Sequence, residues 1–395
     1  MGQQSARIRV LTAGIFSLIL TLGVARFAYT LLLPPMQAQA GLGVGAAGGL
    51  AAINYAGYLS GALLAMLISD LRLKDRIYRI GLLVAVASTA LMGLSQEPWV
   101  WAVSRYLAGL SSAAGMLLGA GLVLNWLMRH GHRGELGIHY SGIGLGIVAC
   151  SALVAVMGSW LDWRQQWLAL AAFGGLLAVP ALAWLPRPEP MPAGAGPASM
   201  RDQPPTPRFL RLLMAAYFCA GMGYVVSATF IVAIVERLPG LAGQGKWAFL
   251  AIGLAAAPAS IAWDLVARRI GDLNALIMAA LLQIAGMLLP VLLGGLAATL
   301  VGAWLFGATF IGIVSLVLTM AGRYYPGRPA KMMGRMTLAY GSAQIVGPAV
   351  TGWLADRFGS YEAGLYLAAG VMAVGTGLLL ALKGLATAPR HRRSA

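Results

Sequence analysis

The chain has little charge and almost no cysteine. Only 10% of its 395 residues are charged, whereas a soluble domain carries about 25%. The two cysteines, Cys150 and Cys219, both lie inside apolar stretches, so we expect no disulfide framework. The sequence also lacks a phosphate-binding Gly-Lys loop, a Cys/His spacing typical of metal sites and a pair of acidic residues within an apolar stretch. We therefore expect no enzyme, no metal site and no cofactor.

Apolar sequence fills most of the chain. Hydrophobic residues make up 59% of it, and the mean hydropathy is +0.78. The apolar runs are about 20 residues long, which is enough for a helix to cross a bilayer. The pattern predicts an all-α membrane protein with twelve transmembrane helices. The predicted spans are 10–33, 43–69, 77–95, 99–126, 136–159 and 165–185, followed by 209–235, 246–267, 273–293, 295–321, 333–355 and 362–383.

A stretch rich in proline and glycine divides the spans into two sets of six. It runs from Pro186 to Pro207 and includes Pro188, Pro190 and Pro192. Such composition is typical of a solvated linker. The predicted domains are therefore an N-terminal six-helix half at 1–185, a cytoplasmic linker at 186–207 and a C-terminal six-helix half at 208–395.

The net charge of +16 is distributed over short connectors and does not follow one amphipathic face, which argues against nucleic-acid binding. Lys and Arg concentrate in the connectors on one side of the predicted bundle, which indicates that this side is cytoplasmic. We expect a multi-pass protein of the bacterial inner membrane with both termini in the cytoplasm. Only a few basic residues fall on the other side: Arg164, Arg237, Lys246 and Arg357.

The two halves show a weak internal repeat. Residues 103–109 (VSRYLAG) align with residues 301–307 (VGAWLFG), and the same offset of 198 places residues 23–26 (GVAR) over residues 221–224 (GMGY). Transporters built from repeats of this kind bind substrate between the two halves. The repeat therefore predicts two six-helix pseudo-repeats with a central site.

Four strings carry a family resemblance. Residues 23–34 (GVARFAYTLLLP) and 54–64 (NYAGYLSGALL) resemble the first two helices of the YbfB/YjiJ-type major facilitators. Residues 105–109 (RYLAG) resemble the arginine motif of the fourth helix, and residues 344–356 (QIVGPAVTGWLAD) resemble the eleventh helix. The resemblance implies the twelve-helix major facilitator fold, transport by rocking of the two halves, and a monomer.

The gating loops depart from the facilitator pattern Gly-x-Leu-Ala-Asp-Arg-x-Gly. Asp70 keeps the acidic position, but Met66 and Leu73 replace the two glycines. In the second half, Asp264 stands where glycine is usual and Arg268 where the acid is usual. The residues to which we assign gating roles are Asp70, Arg76, Asp264, Arg268 and Arg269. The fifth helix also lacks the proline that many antiporters have.

Two arginines fall inside predicted spans, Arg26 in the first and Arg105 in the fourth, at similar depths. A charge buried in a bilayer costs at least about 2.5–3.5 kcal/mol, and no acid lies deep in any predicted span to offset it. The guanidinium fork suits a carboxylate, so both arginines are candidates for binding an anion. Alternatively, Arg105 has a structural or gating role, and Arg26 bonds to carbonyls or to Asn54.

Other polar and aromatic residues complete the predicted substrate site. Buried polar groups need partners inside the bundle, and the repeat offset places Tyr224 opposite Arg26. The further substrate-binding candidates are Tyr29, Asn54, Tyr55, Tyr58, Tyr224, Thr229, Phe310, Tyr340 and Gln344. His139, near the start of the fifth span, is expected to be solvated at the cytoplasmic interface rather than to carry a proton.

These features predict a secondary transporter of a small organic anion, with a coupling proton or a counter-substrate as its second partner. The first alternative is efflux of amphipathic drugs or metabolites, for which a loose aromatic and Met-rich pocket would be suited. The second is a membrane sensor or scaffold that has lost transport, an interpretation supported by the altered gating loops.

Overall fold

The computed structural model describes residues 3–132, 136–188, 204–325 and 329–387. Within these ranges the chain forms twelve long helices and no strand. The first half contains α1 (Gln3–Ala40), α2 (Val44–Leu67), α3 (Leu71–Leu94), α4 (Pro98–Arg129), α5 (Leu136–Met157) and α6 (Trp163–Trp184). The second half contains α7 (Pro207–Arg237), α8 (Gly245–Ile270), α9 (Asp272–Leu293), α10 (Gly295–Tyr324), α11 (Pro329–Phe358) and α12 (Glu362–Thr387).

The helix boundaries follow local sequence signals. Asp70 caps α3 by accepting a bond of 3.0 Å from the Arg72 amide, and Asp162 forms a reciprocal capping box with Gln165 at the start of α6. At the other end, α1 stops at Gly41, whose φ of 69° is the left-handed conformation that glycine adopts without strain. The predicted all-α architecture is confirmed, although α1 extends beyond its predicted span at both ends. Most of the predicted linker lies outside the described residues.

Eleven of the described helices are long and apolar enough to cross a membrane. The remaining one, α11, is 30 residues long, but Tyr340, Ser342 and Gln344 lower its hydropathy. The outer surface of the bundle carries large apolar side chains, such as Leu176, which is 72% exposed, and Val179, which is 66% exposed. This arrangement is expected for helices that face lipid rather than water.

The internal repeat has a counterpart in the packing. Gly109 of α4 lies against the backbone of Asn54 in α2, and Gly307 of α10 lies against the backbone of Ile252 in α8. The two contacts are related by the offset of 198 found in the sequence, which separates Gly109 from Gly307 and Asn54 from Ile252. In both places a β-carbon would collide with a carbonyl oxygen of the neighbouring helix. The two halves therefore repeat the same close helix contact, which glycine permits.

The halves meet along equivalent helices, α2 with α11 and α5 with α8. Gly48 of α2 lies against the backbone of Gly352, and Gly144 of α5 lies against that of Ala257. Where α1 crosses α7, the hydroxyl of Thr30 donates to the carbonyl of Ala228 over 2.7 Å, again between positions separated by 198. The repeat axis therefore passes close to this crossing.

Two helices of the first half contain a wider helical segment. The backbone is π-helical at Ile19–Phe27 within α1 and at Ala114–Gly119 within α4. The matching helices of the second half, α7 and α10, are α-helical throughout. The sequence did not predict these segments, which occur frequently at functional sites.

Candidate substrate site

A central cavity of about 80 Å³ lies between the two halves. Arg26, Tyr58 and Met116 contribute to its wall from the first half, and Tyr224, Phe310 and Gln344 contribute from the second. It shares wall residues with a wider cleft of about 560 Å³. The shared residues are Met116, Tyr140, Ile143, Ile311, Val314 and Leu318.

The wider cleft opens at one end of the bundle. Its wall includes Leu136 at the start of α5, Asp272 at the start of α9 and Arg323 near the end of α10. We call this end the basic face, because the Lys- and Arg-rich connectors lie there, and the other end the opposite face. The central cavity is therefore continuous with the basic face.

The opposite face is closed by contacts between the halves. Gln37 of α1 donates to the Tyr361 hydroxyl over 2.8 Å, and the Gly45 amide donates to the Asp356 carboxylate over 2.7 Å. Within the second half, Phe230 stacks on Tyr361 with ring centroids 4.5 Å apart and so supports the residue that accepts from Gln37. Burial raises the pKa of Tyr361 to about 12. These contacts separate the cavity from the opposite face.

Arg26 lies in the wall of the central cavity, within the π-helical segment of α1. The residue is 5% exposed, and its guanidinium carbon lies 4.4 Å from the Tyr55 ring centre and 4.7 Å from that of Tyr58. Its Nε has no hydrogen-bond partner. The ion pairs found among the described residues involve other arginines, in no case Arg26. Arg26 is therefore held by the Tyr55 and Tyr58 rings and by a side-chain hydrogen bond to Tyr55, and its Nε donor is available to a ligand.

Arg105 has different partners. Its two terminal nitrogens donate to the carbonyl oxygens of Ala25 at 2.9 Å and Arg26 at 3.4 Å. About two turns further along α4, the Ser112 hydroxyl donates to the Thr21 carbonyl over 2.7 Å. All three carbonyls belong to the π-helical segment, whose change of hydrogen-bond register leaves carbonyls in need of partners. The Arg105 fork is thus occupied by backbone carbonyls, as expected for the alternative in which Arg105 has a structural role.

The remaining candidates of the first half form a polar layer around the arginines. The Asn54 amide donates to the Arg105 carbonyl over 2.8 Å, and the Tyr29 hydroxyl donates to the Ala47 carbonyl over 2.9 Å. The Tyr29 ring also lies 4.5 Å from the guanidinium carbon of Arg105. The Tyr58 hydroxyl donates to the Met116 sulfur over 3.4 Å. Tyr29 and Asn54 therefore position other groups, whereas Tyr58 faces the cavity.

The candidates of the second half belong to an aromatic ladder. We use this name for Tyr217, Tyr340, Tyr224, Phe310 and Phe306, whose rings follow one another with centroids 4.5, 5.8, 5.2 and 5.6 Å apart. The angles between successive rings are all 21–27°. Tyr217 and Phe306 were missed in the sequence, although their spacing of seven and four residues from Tyr224 and Phe310 places them on the same helix faces.

Two polar candidates of the second half have oxygen atoms without partners. Gln344 is 3% exposed and lines the central cavity, and its Oε1 accepts no hydrogen bond. The Thr229 hydroxyl is also unpartnered, and it lies beside Arg26 in a smaller cavity of about 10 Å³. A buried acceptor without a partner favours a ligand or a water molecule at that point.

The predicted gating residues lie near the basic face, away from the cavity centre. Asp70 caps its own helix, and Asp264 pairs with Arg268 over 2.7 Å within α8. Arg76 and Arg269 are exposed. Asp264 and Arg268 line the wide cleft, so they border the route to the cavity rather than the cavity itself.

His139 is buried, and the expectation that it is solvated is wrong. Its ring is 0% exposed, packs against Gly14 of α1 and lies 5.4 Å from the Tyr140 ring. Neither ring nitrogen has a hydrogen-bond partner. The close approach of α1 to α5, which glycine at position 14 permits, covers the ring.

Comparisons with known proteins agree with this architecture. A family model described as "Uncharacterised MFS-type transporter YbfB" matches residues 18–380, and no curated protein matches the sequence. A solved structure of a mutant of the nucleoside transporter NupG is similar with a TM-score of 0.75 and 13% identity, covering 95% of this chain and 99% of that one. A second NupG structure gives a TM-score of 0.69 and 15% identity, covering 97% of this chain and 99% of that one. Likeness at this level of identity shows a shared fold.

Proposed function

Since this chain belongs to the YbfB-type family of major facilitator transporters, we propose that it moves a small organic anion across the membrane as a secondary transporter. The observation that carries the proposal is the setting of Arg26. This guanidinium lines the central cavity between Tyr55 and Tyr58, and its Nε is unpartnered. An anionic ligand would offset a buried charge whose cost is otherwise several kcal/mol.

In this proposal Arg26 and its neighbours have two kinds of role, contact with the substrate and positioning of other groups. Arg26 binds the anionic group, and Tyr58 and Gln344 contact the substrate from the two halves. Arg105 keeps the π-helical segment in place through the carbonyls of Ala25 and Arg26. Arg105 is therefore a positioning residue.

The shape of the bundle supports alternating access. The central cavity continues into the cleft at the basic face, while Gln37, Gly45 and their partners close the opposite face. Rocking of the halves would exchange these states around the cavity. Because basic connectors stay in the cytoplasm, the proposal assigns the basic face and both termini to the cytoplasm of a bacterium. The driving gradient would be that of a proton or of a counter-substrate, and the working unit a monomer.

Thermal stabilisation of the purified protein tests the proposal, because ligands that bind the folded state raise its melting temperature. The panel contains small carboxylates, sulfonates, amino acids, nucleosides and cationic drugs. We expect anions to stabilise the protein. Arg26→Ala should bind them about 10- to 100-fold more weakly, because hydrogen bonds to a charged group contribute that much to affinity. Arg26→Lys should retain part of the binding, since it keeps the charge without the fork.

The matched control is Arg164→Ala. Arg164 donates to the Gly93 carbonyl at 3.0 Å and does not line the central cavity. Its substitution should leave anion binding unchanged. Unaltered binding and uptake of every anionic substrate by Arg26→Ala would refute the proposal.

Efflux of amphipathic compounds is the second candidate, and the aromatic ladder is the observation that favours it. A neutral flat ligand such as a nucleoside, the substrate named for NupG, would also suit those rings. Against bulky drugs, the central cavity of about 80 Å³ is well below the roughly 300–1,000 Å³ of drug-sized sites. Stabilisation by cations or neutral compounds alone would favour this candidate and make both arginines structural.

A further inference from the structure

We propose that the transported anion is a planar, aromatic monocarboxylate. This inference rests on the anion transport proposed above and narrows it to one chemical class. Two independent observations support it: the number of guanidinium groups that are free to bind, and the surface that faces them across the cavity.

The first observation limits the charge of the substrate. Of the two arginines buried within the described helices, Arg105 already donates to two backbone carbonyls. Arg26 has a side-chain hydrogen bond to Tyr55 and an Nε donor without a partner, so it is the guanidinium that can still bind an anion. One such guanidinium matches one carboxylate. A dicarboxylate would leave its second charge facing aromatic side chains, and a buried charge without a partner is strongly unfavourable.

The second observation concerns the body of the substrate. Across the cavity from Arg26, the aromatic ladder brings rings from α7, α10 and α11 together, and Tyr224, Phe310 and Tyr340 border the cavity. Its successive planes are within 27° of parallel. Offset-stacked or edge-to-face contact between aromatic rings is more favourable than the burial of their area alone. A ligand with its carboxylate at Arg26 would place its body beside this ladder, where a ring gains most.

The placement of the charged Arg26 on one side of the cavity and the aromatic rings on the other follows from the repeat. Arg26 and Tyr224 occupy matching positions of α1 and α7, which cross at Thr30 and Ala228. The two side chains therefore approach the cavity from its two sides near the repeat axis. The cavity is accordingly suited to a short molecule with a charged end and a flat end.

The experiment compares three ligands on the full-length purified protein by calorimetry. Benzoate and cyclohexanecarboxylate have the same charge and the same number of heavy atoms, and they differ in planarity. Benzyl alcohol has the same planar ring and no charge. We expect benzoate to bind about 2- to 10-fold more tightly than cyclohexanecarboxylate, the value of one aromatic contact, and benzyl alcohol to bind weakly.

Two variants assign the preference to the ladder. Phe310→Leu keeps an apolar side chain at the cavity and removes one of the rings that border it, so the preference for benzoate should decrease. Phe249→Leu is the control, because Phe249 is equally buried in the second half but does not line the cavity. The ligand comparison on the unaltered protein decides the question even where a variant folds poorly.

Each outcome separates this inference from anion transport itself. Equal binding of benzoate and cyclohexanecarboxylate, or tighter binding of a dicarboxylate such as succinate, would overturn the aromatic monocarboxylate and leave anion transport standing. Equal binding of benzyl alcohol and benzoate, insensitive to Arg26→Ala, would overturn both. A preference for benzoate that is undiminished in both Phe310→Leu and Tyr340→Leu would place the ligand ring away from the ladder and contradict the proposed geometry.

Discussion

The two halves of the molecule share one backbone plan and differ in chemistry at matching positions. In the first half, Arg105 and Ser112 of α4 donate to carbonyls of α1. At the offset of 198, the second half has Ala303 and Phe310 in α10, which have no side-chain donor. The helices that receive these bonds, or would receive them, differ accordingly. In the first half α1 contains a π-helical segment, and in the second half α7 is α-helical throughout.

The same contrast extends to the cavity wall. Tyr224 and Phe310, which line the cavity, stand at the positions that match Arg26 and Ser112 of the first half. The glycine contacts that fix helix packing are kept in both halves, at Gly109 and Gly307. Packing positions therefore define the fold in both halves, while at these two matching positions a polar residue of the first half corresponds to an aromatic residue of the second.

The largest expected effect comes from removing the donor that distinguishes the first half. Arg105→Leu would leave the carbonyls of Ala25 and Arg26 buried without partners, at about 1–3 kcal/mol for each. We expect a loss of about 2–6 kcal/mol in unfolding free energy, measured by thermal and denaturant unfolding in detergent.

Arg164→Leu provides the comparison for that variant. Arg164 also donates to backbone carbonyls, but at the opposite face, where water can replace the lost bonds. It should cost less than about 1 kcal/mol. Equal losses of unfolding free energy in the two variants would show that the bonds from Arg105 to the carbonyls of α1 contribute no special stability to the first half.

A smaller effect tests the packing that the halves share. Gly109→Ala and Gly307→Ala should each destabilise the protein by about 1–3 kcal/mol, because the added methyl group meets the backbone of α2 or α8. Gly121→Ala in α4 and Gly322→Ala in α10 are the matched controls, since a β-carbon at either site meets no atom within 4 Å. These controls should be neutral or slightly stabilising, as expected for alanine in a helix. A large loss at only one of Gly109 and Gly307 would contradict the equivalence of the two contacts.

The smallest effect concerns the bond that joins the halves. Thr30→Val removes the donor to the Ala228 carbonyl, and interhelical bonds of this kind contribute about 0.6 kcal/mol on average in membrane proteins. We expect a loss of about 0.5–1.5 kcal/mol by thermal unfolding. Thr229→Val, which removes a hydroxyl without a partner, should cause no loss. Equal losses in the two variants would show that the Thr30 bond contributes nothing specific.

Much of this fold could be predicted from the sequence, because lipid imposes a simple rule on length and polarity. The spans were predictable from apolar runs, and the offset of 198 between residues 103–109 and 301–307 corresponds to the matching contacts of Gly109 and Gly307. The start and end of α1 were less predictable. Its ends continue past the apolar run to Gln3 and Ala40, where hydropathy no longer indicates a helix.

The site was predictable only in part, because its details depend on hydrogen-bond register. The sequence predicted that Arg26 and Tyr224 match, and both line the central cavity. It did not predict the π-helical segment, since no hydropathy pattern distinguishes i+5 from i+4 bonding. Without that segment, the engagement of Arg105 by the carbonyls of Ala25 and Arg26 could not be foreseen. The burial of His139 was also missed, because it depends on how closely α5 approaches Gly14.

The π-helical segment gives α1 a mechanical property that α7 does not have. Conversion of Ile19–Phe27 to regular α-helix by a one-residue change of register would turn the two ends of α1 against each other by about 100°, the angle of one residue at 3.6 residues per turn. The whole side-chain array on one side of the segment would then present a different face to its neighbours, with no helix broken. The three hydrogen bonds from Arg105 and Ser112 stabilise the present rotation of α1 about its axis. Exchange of these bonds alone would therefore be enough to change which side chains of α1 face the cavity.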